Sequence, residues 1–336
     1  MVALFVTSPE PRSGKTMICA GLGKRFVSDG KRTGYFKPRI GAGDATARDT
    51  DHDAGFMKHL LALEEPAELL CPVLSGGRNL TAGIKKAYAT VSRGEDIVIV
   101  EGVSGQSQFS RSIVEALDAK VIVIESMSIK PVETAGSYKE WGKRLLGVVV
   151  NKVPRSRLER ISAEASAAFE KSGVNLLGVL PEDRMLLALT VGELAGHIRG
   201  TILSSAEKSA ELVENFMVGA KCVDPGPVYF GRKANKAAVI ESERPDMQIA
   251  ALATSTRCLV VSGSTAPIPV VLRGANEKSV PVVHTTNDIK TIVTSIEDAL
   301  AGTRFNQEGK LPRLIEILEQ HFDFAGVYNG LGLAVS

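Results

Sequence analysis

The amino-acid sequence predicts an α/β fold: a parallel sheet with helices on both faces, followed by a smaller α/β unit. Short β-rich runs at residues 4–6, 33–36, 96–100, 120–124, 147–150 and 175–180 alternate with helical spacing at 15–28, 53–63, 80–91, 110–117, 132–145 and 157–171. That alternation implies crossover connections and parallel pairing. The runs at 120–124 and 145–150 are apolar or nearly so, as strands covered on both faces must be. The chain has 336 residues, more than one typical domain, and a second, shorter alternation follows the first. Its strands are expected at 237–241, 258–262 and 281–284, with helices at 245–254, 270–277, 287–297 and 310–320. Between the two lies a weaker pattern punctuated by Gly192, Gly196 and Gly200. The expected divisions are therefore 1–205, 206–322 and a loose tail at 323–336.

Charge and cysteine usage exclude several classes of function. Lys and Arg total 40 against 38 Asp and Glu, a formal charge of +2, and the charges are interspersed, so no basic face for nucleic acid is expected. Cys19, Cys71, Cys222 and Cys258 form no C-x-x-C pair and predict neither a disulfide framework nor a zinc site. The apolar stretches are far too short to span a bilayer, so no membrane partner is expected. Met1-Val2-Ala3-Leu4 enters the first strand with no signal-peptide pattern before it, which predicts a cytoplasmic protein.

In such sheets, ligands bind beyond the carboxyl ends of the strands. Four of those ends carry polar clusters. The first strand runs through Thr7-Ser8-Pro9-Glu10-Pro11-Arg12-Ser13-Gly14-Lys15-Thr16 into a helix, an arrangement that points backbone amides and a helix dipole at an anion. Lys15 can reach β- and γ-phosphates and Thr16 can ligate Mg²⁺, with Arg12, Ser13, Gly14 and Met17 completing the cradle. Pro9 stands where the usual motif has its first glycine; the alternative reading is an ordinary Pro-rich turn. The second strand ends in Phe36-Lys37-Pro38, and Lys37 beside a triphosphate could neutralise a transferred group, the alternative being a solvated surface lysine. Asp44, Asp49, Asp51 and Asp53 crowd into ten residues. Such density suits Mg²⁺, with Asp49 the candidate, while Asp53 could equally cap the helix that begins there.

The third buried strand delivers Glu101 into Gly102-Val103-Ser104-Gly105, which places a carboxylate where the Mg²⁺ of a phosphate site would need it. Finally Val150-Asn151-Lys152-Val153-Pro154 offers an amide that can read a purine edge and a lysine stem that can line its ring, or simply a turn before proline.

Taken in this order, Ser13-Gly14-Lys15-Thr16, Gly34-Tyr35-Phe36-Lys37-Pro38, Val100-Glu101-Gly102, Val150-Asn151-Lys152-Val153-Pro154 and Gly178-Val179-Leu180-Pro181-Glu182 resemble the dethiobiotin synthetase family of P-loop proteins. More closely, the loop resembles the dethiobiotin-synthetase-like domain at the amino end of long bacterial phosphotransacetylases. Residues 235–240, 244–252, 258–263 and 280–283 resemble the DRTGG domain that follows it there. That resemblance implies a P-loop NTPase-like sheet with ATP and Mg²⁺ as cofactors: Lys15 and Thr16 on phosphate and metal, Lys37 at a carbamate, Glu101 on Mg²⁺, Asn151 facing adenine, and a homodimer. One departure is clear. Where the DRTGG family usually has Thr-Gly-Gly-Asp-Arg, this chain has Glu241-Ser242-Glu243-Arg244, without the glycines that let backbone approach a ligand.

Two functional classes follow. The chain is expected to be a nucleotide-binding regulatory protein answering to a protein partner, because Gly102-Val103-Ser104-Gly105-Gln106-Ser107-Gln108 is more polar than the loop that shapes a diamine pocket in the synthetases. The alternative is an ATP-dependent ligase acting on a small-molecule substrate, since Lys37 and Glu101 are both kept.

Overall fold

The computed structural model describes residues 1–40, 52–127, 137–219 and 225–334. They form two compact units: Met1–Glu182 together with Phe305–Ser336, and Asp183–Arg304. The second unit is thus inserted, in sequence, between the last strand of the first and its C-terminal helices.

In the first unit the principal strands are β1 (Val2–Thr7), β2 (Thr33–Phe36), β3 (Ile97–Glu101), β4 (Lys120–Ser126), β5 (Leu145–Val153) and β6 (Leu176–Pro181). They form a 6-stranded sheet in the order β2-β3-β1-β4-β5-β6, and all five pairings are parallel. The helices are α1 (Lys15–Ser28), α2 (His52–Leu60), α3 (Leu80–Val91), α4 (Ser107–Leu117) and α5 (Leu158–Ser172). Leu4, Phe5 and Val6 and residues 97–100 are fully buried, as central strands covered on both faces must be. The expected α/β class with a parallel, helix-covered sheet is what the chain adopts.

One expected helix is not found where it was placed. Residues 137–144 form a 3₁₀ segment broken at Gly142, whose φ of 54° and ψ of −137° are not helical, and the apolar run from Leu145 is taken by β5. A chain offered Leu-Leu-Gly-Val-Val-Val beside an open sheet edge gains more from the ladder than from one further helical turn; the start of the expected helix, 132–136, lies outside the described residues.

The second unit contains α6 (Val191–His197), β7 (Thr201–Ser204), β8 (Asn215–Val218), β9 (Lys236–Glu241), α7 (Pro245–Leu252), β10 (Thr256–Ser262), α8 (Pro269–Glu277), β11 (Val282–Thr285) and α9 (Ile289–Gly302). Its 5-stranded sheet runs β7-β11-β10-β9-β8, parallel except for β7, which pairs antiparallel with β11. Strand alternation divides the core cleanly. Ala238 and Ile240 join Leu259 and Val261 in a cluster with Met247 and Val271 on one face, whereas Ala237 and Val239 join Val260 and Val283 with Leu194, Ile198 and Ile292 on the other.

Two boundary expectations differ from the structure. The division falls after Glu182 rather than near residue 205, because α6 packs in the second core and β7 pairs with β11. Likewise the stretch from 323 is no loose tail. The chain returns to the first unit as α10 (Leu311–His321) and α11 (Phe324–Leu331), the latter capped by Asp323, whose carboxylate accepts from the Gly326 amide at 2.9 Å. Tyr328 is buried, stacks obliquely on Phe26 of α1 with ring centroids 5.4 Å apart, and donates to Asp29 at 2.6 Å. Those contacts brace the helix that carries Lys15 and Thr16 at its head.

Candidate functional site

At the carboxyl ends of β1, β2, β3 and β5 the polar clusters converge. The loop after β1 leaves regular backbone at Arg12, with φ of 57°, and again at Gly14, which caps α1 with φ of 100° and ψ of 22°. A left-handed cap of this kind turns the following amides outward. Glycine is required there for a second reason: a Cβ at position 14 would lie 2.3 Å from Nδ2 of Asn151. That amide donates to the Ser13 carbonyl at 2.8 Å. Asn151, at the end of β5, therefore braces the loop, a contact that sequence reasoning did not foresee. Ser13 is fully buried, and its hydroxyl has no hydrogen-bond partner among the described residues. A buried orphan hydroxyl inside an amide-lined bend suits an oxygen-rich anion.

Lys15 and Thr16 start α1 side by side but face different partners. Lys15 is nearly buried and donates from Nζ to Ser104 Oγ at 2.5 Å; Ser104 in turn donates to the Glu10 carbonyl at 2.9 Å. Desolvation pulls the Lys15 pKa below its ordinary value, opposed by the charge of Glu101. Thr16 Oγ1 donates to Glu101 Oε1 at 2.8 Å. The loop hydroxyl and the acid of β3, each expected to serve a metal, are thus brought within hydrogen-bond distance of one another.

Glu101 is only 2% exposed and is surrounded by donors. Lys37 Nζ lies 3.5 Å from its Oε1 and 2.5 Å from Oδ2 of Asp53, so Lys37 is a half-sequestered member of the cluster and not a solvated surface lysine. Tyr35 donates its hydroxyl to the other oxygen, Oε2, at 2.8 Å. Neither Tyr35 nor Ser104 was among the expected site residues. For Tyr35 a signal existed, since Tyr35 and Lys37 are two apart on one strand path and so share a face.

Lys152 follows Asn151 in a left-handed conformation with φ of 60°. Burial lowers its pKa, Glu182 opposes that, and Arg12 adds to it, which places Arg12 and Lys152 in one electrostatic neighbourhood. Met17 is buried with its methyl 3.7 Å from where a Gly14 Cβ would sit. Of the clustered aspartates, Asp44, Asp49 and Asp51 lie outside the described residues. Among the described residues no group of three or more His, Cys, Asp or Glu side chains is arranged to hold a metal ion. A phosphate-bridged Mg²⁺ does not need one, because a hydroxyl, one carboxylate and phosphate oxygens make a hard-oxygen shell; Thr16 and Glu101 fit that requirement. No helix among the described residues is long and apolar enough to cross a membrane.

Comparison with known proteins agrees with the domain order. Residues 2–188 match the family described as AAA domain, and residues 193–299 match the DRTGG domain. The chain is 19% identical over 360 residues to phosphate acetyltransferase of Nitratidesulfovibrio vulgaris, covering 95% of this chain and 50% of that protein. It is 27% identical over 209 residues to the ATP-dependent dethiobiotin synthetase BioD of Bacillus licheniformis, covering 54% of this chain and 86% of that protein. The chain therefore spans about half the length of the acetyltransferase it matches. Among solved structures, MinD in the MinC:MinD cell division complex of Aquifex aeolicus matches with a TM-score of 0.40 and 16% identity, over 56% of this chain and 84% of that chain.

Proposed function

We propose, from the premise that this chain belongs to the AAA-domain family, that it binds ATP with Mg²⁺ at the head of α1 and signals that occupancy to a partner protein. The observation that carries the reading is the Thr16–Glu101 contact of 2.8 Å, made where the amide-lined bend, Lys15 and the end of β3 converge. Lys15 and Thr16 would hold phosphate and metal, Glu101 would complete the metal shell, and Asn151 with Lys152 and Arg12 would border the base and phosphates. Bound Mg²⁺ would supply charge neutralisation on the phosphate oxygens.

A signalling role is supported by what holds Lys15 now. Its ammonium is tied to Ser104, which also bonds the Glu10 carbonyl; an incoming triphosphate competes for that ammonium and so detaches the head of α1 from the loop after β3. The presence of a DRTGG domain in the same chain supports a regulatory role. This reading places the protein in the cytoplasm as a homodimer.

A second reading is favoured by one specific feature. Lys37, 2.5 Å from Asp53 and 3.5 Å from Glu101, stands where a carbamate or phosphoryl group could be neutralised, and the BioD relative acts with ATP by its name. Steady-state phosphate release by wild type and Lys15→Ala, with and without diaminopelargonate, separates the two. Substrate-stimulated turnover that Lys15→Ala abolishes establishes the ligase reading, and ATP binding without turnover supports the regulatory one.

A further inference from the structure

Glu101 can serve a metal only if its carboxylate is held with one oxygen toward Thr16. A glutamate has one more rotatable bond than the aspartate usual at this position in P-loop sites, and a buried strand end does not by itself choose among its rotamers. The sheet solves this from the neighbouring strand. β2 pairs with β3 in the register Tyr35↔Ile99, so Tyr35 and Ile99 share a face, and Glu101, two residues on, shares it too. Two residues of strand span about 6.6 Å, a distance that a tyrosine ring covers and a shorter side chain does not. The hydroxyl arrives 2.8 Å from Glu101 Oε2, leaving Oε1 to Thr16 and Lys37.

Building on the Mg²⁺-nucleotide reading, we infer that Tyr35 is the positioning residue of the metal carboxylate: its fully buried hydroxyl anchors Glu101 Oε2 and thereby presents Oε1 to the ion. The phenol is the donor and the carboxylate oxygen the acceptor in this bond, so the anchor is directional. Tyr35 does not touch the metal or the phosphates. Outer-sphere partners of this kind set ligand orientation, and their loss typically weakens a metal site by roughly 10-fold or more.

The test compares Tyr35→Phe with wild type by calorimetric titration of ATP in EDTA and then by Mg²⁺ titration of the protein–ATP mixture, with a thermal melt as the fold control. The expected result is unchanged ATP affinity without metal and a Mg²⁺ midpoint raised roughly 10-fold, an effect that disappears in a Glu101→Gln background. Glu101→Asp, which keeps the carboxylate but withdraws it from the hydroxyl, should raise the midpoint similarly and serves even if Tyr35→Phe melts early. An unchanged midpoint in either single variant overturns the inference, as does a loss in Tyr35→Phe that is equal with and without Mg²⁺. Wild-type ATP binding that Mg²⁺ does not strengthen overturns the underlying metal reading as well, and is told apart by needing no variant.

Discussion

The side-chain amide of Asn151, at the end of β5, donates to the carbonyl of Ser13 in the loop after β1 across 2.8 Å, so two strand ends separated by β4 in the sheet are joined through one bond. The same amide occupies the space that a Cβ at Gly14 would fill, 2.3 Å away. Loop shape and Asn151 position are therefore one property. Asn151→Ala should leave the buried Ser13 carbonyl unpaired and cost about 1–3 kcal/mol, and Gly14→Ala should cost a comparable amount through its left-handed φ and the collision with Asn151. Denaturant unfolding of each variant measures this; stabilities within 0.3 kcal/mol of wild type, about the scatter of independent surface changes, would show the bend to be self-supporting.

Loss of the Lys15 ammonium should weaken nucleotide binding more than it weakens the fold. Lys15 is held near-buried at a desolvation cost that lowers its pKa, so Lys15→Ala removes an unfavourable burial together with the bond to Ser104. The expected outcome is a nearly unchanged melting temperature and ATP affinity lower by about 1.5–3 kcal/mol. Competition binding with a fluorescent ATP analogue reads the affinity. A variant that binds as wild type does would remove Lys15 from the site.

The C-terminal helices should stabilise the nucleotide unit from its back. Tyr328 of α11 packs on Phe26 and bonds Asp29, Arg25 lies 5.4 Å over the Phe324 ring, and the Phe322 backbone bridges to Gly178 of β6. Tyr328→Ala should cost about 3–5 kcal/mol, while Tyr328→Phe keeps the stacking and loses only the Asp29 bond, about 1 kcal/mol. Chemical unfolding followed by circular dichroism gives both numbers, and equal losses would mean that the hydroxyl and not the ring holds α11.

In the second unit, Lys236 supplies a pH signature. It is fully buried, donates to Thr254 Oγ1 and to the Ser255 carbonyl, each at 2.9 Å, and burial lowers its pKa from 10.5 to about 8. A lysine depressed in the folded state burdens the fold while it is protonated there. That burden is full below about pH 8 and is relieved as pH rises toward 10.5, because in this window the unfolded chain binds the extra proton. Wild type should therefore gain stability relative to Lys236→Met between those values. Parallel melting curves of the two proteins across that range would show no divergence if the ammonium were solvated.

How much of this was legible in the sequence depends on whether the signal was local. The parallel sheet could be read because its strands are apolar on both faces, and α1 because Gly14 and the Asp29-Gly30 pair bracket a helical pattern. Lys15, Thr16, Lys37 and Glu101 could be read because each stands at a strand end or a helix head, where crossover geometry gathers ligand groups. What escaped were contacts between residues distant in sequence: Tyr35 to Glu101, Lys15 to Ser104, Asn151 to Ser13. The return of residues 305–334 to the first unit escaped for the same reason, since nothing in Leu311–His321 distinguishes a helix packed on α1 from one closing the second unit. The short strands β7, Thr-Ile-Leu-Ser, and β8, Asn-Phe-Met-Val, were missed because four residues are too few to establish an alternation before a sheet edge receives them.

In the proposed site the bend before Thr16 and the acid of β3 hold one Mg²⁺-triphosphate. Calorimetric titration of wild type and Glu101→Gln with ATP, in Mg²⁺ and in EDTA, tests it most directly. Mg²⁺ should strengthen ATP binding to wild type, and Glu101→Gln should lose most of this enhancement while keeping its metal-free affinity. Equal Mg²⁺ enhancement in both proteins, or no ATP binding to wild type at all, would contradict it.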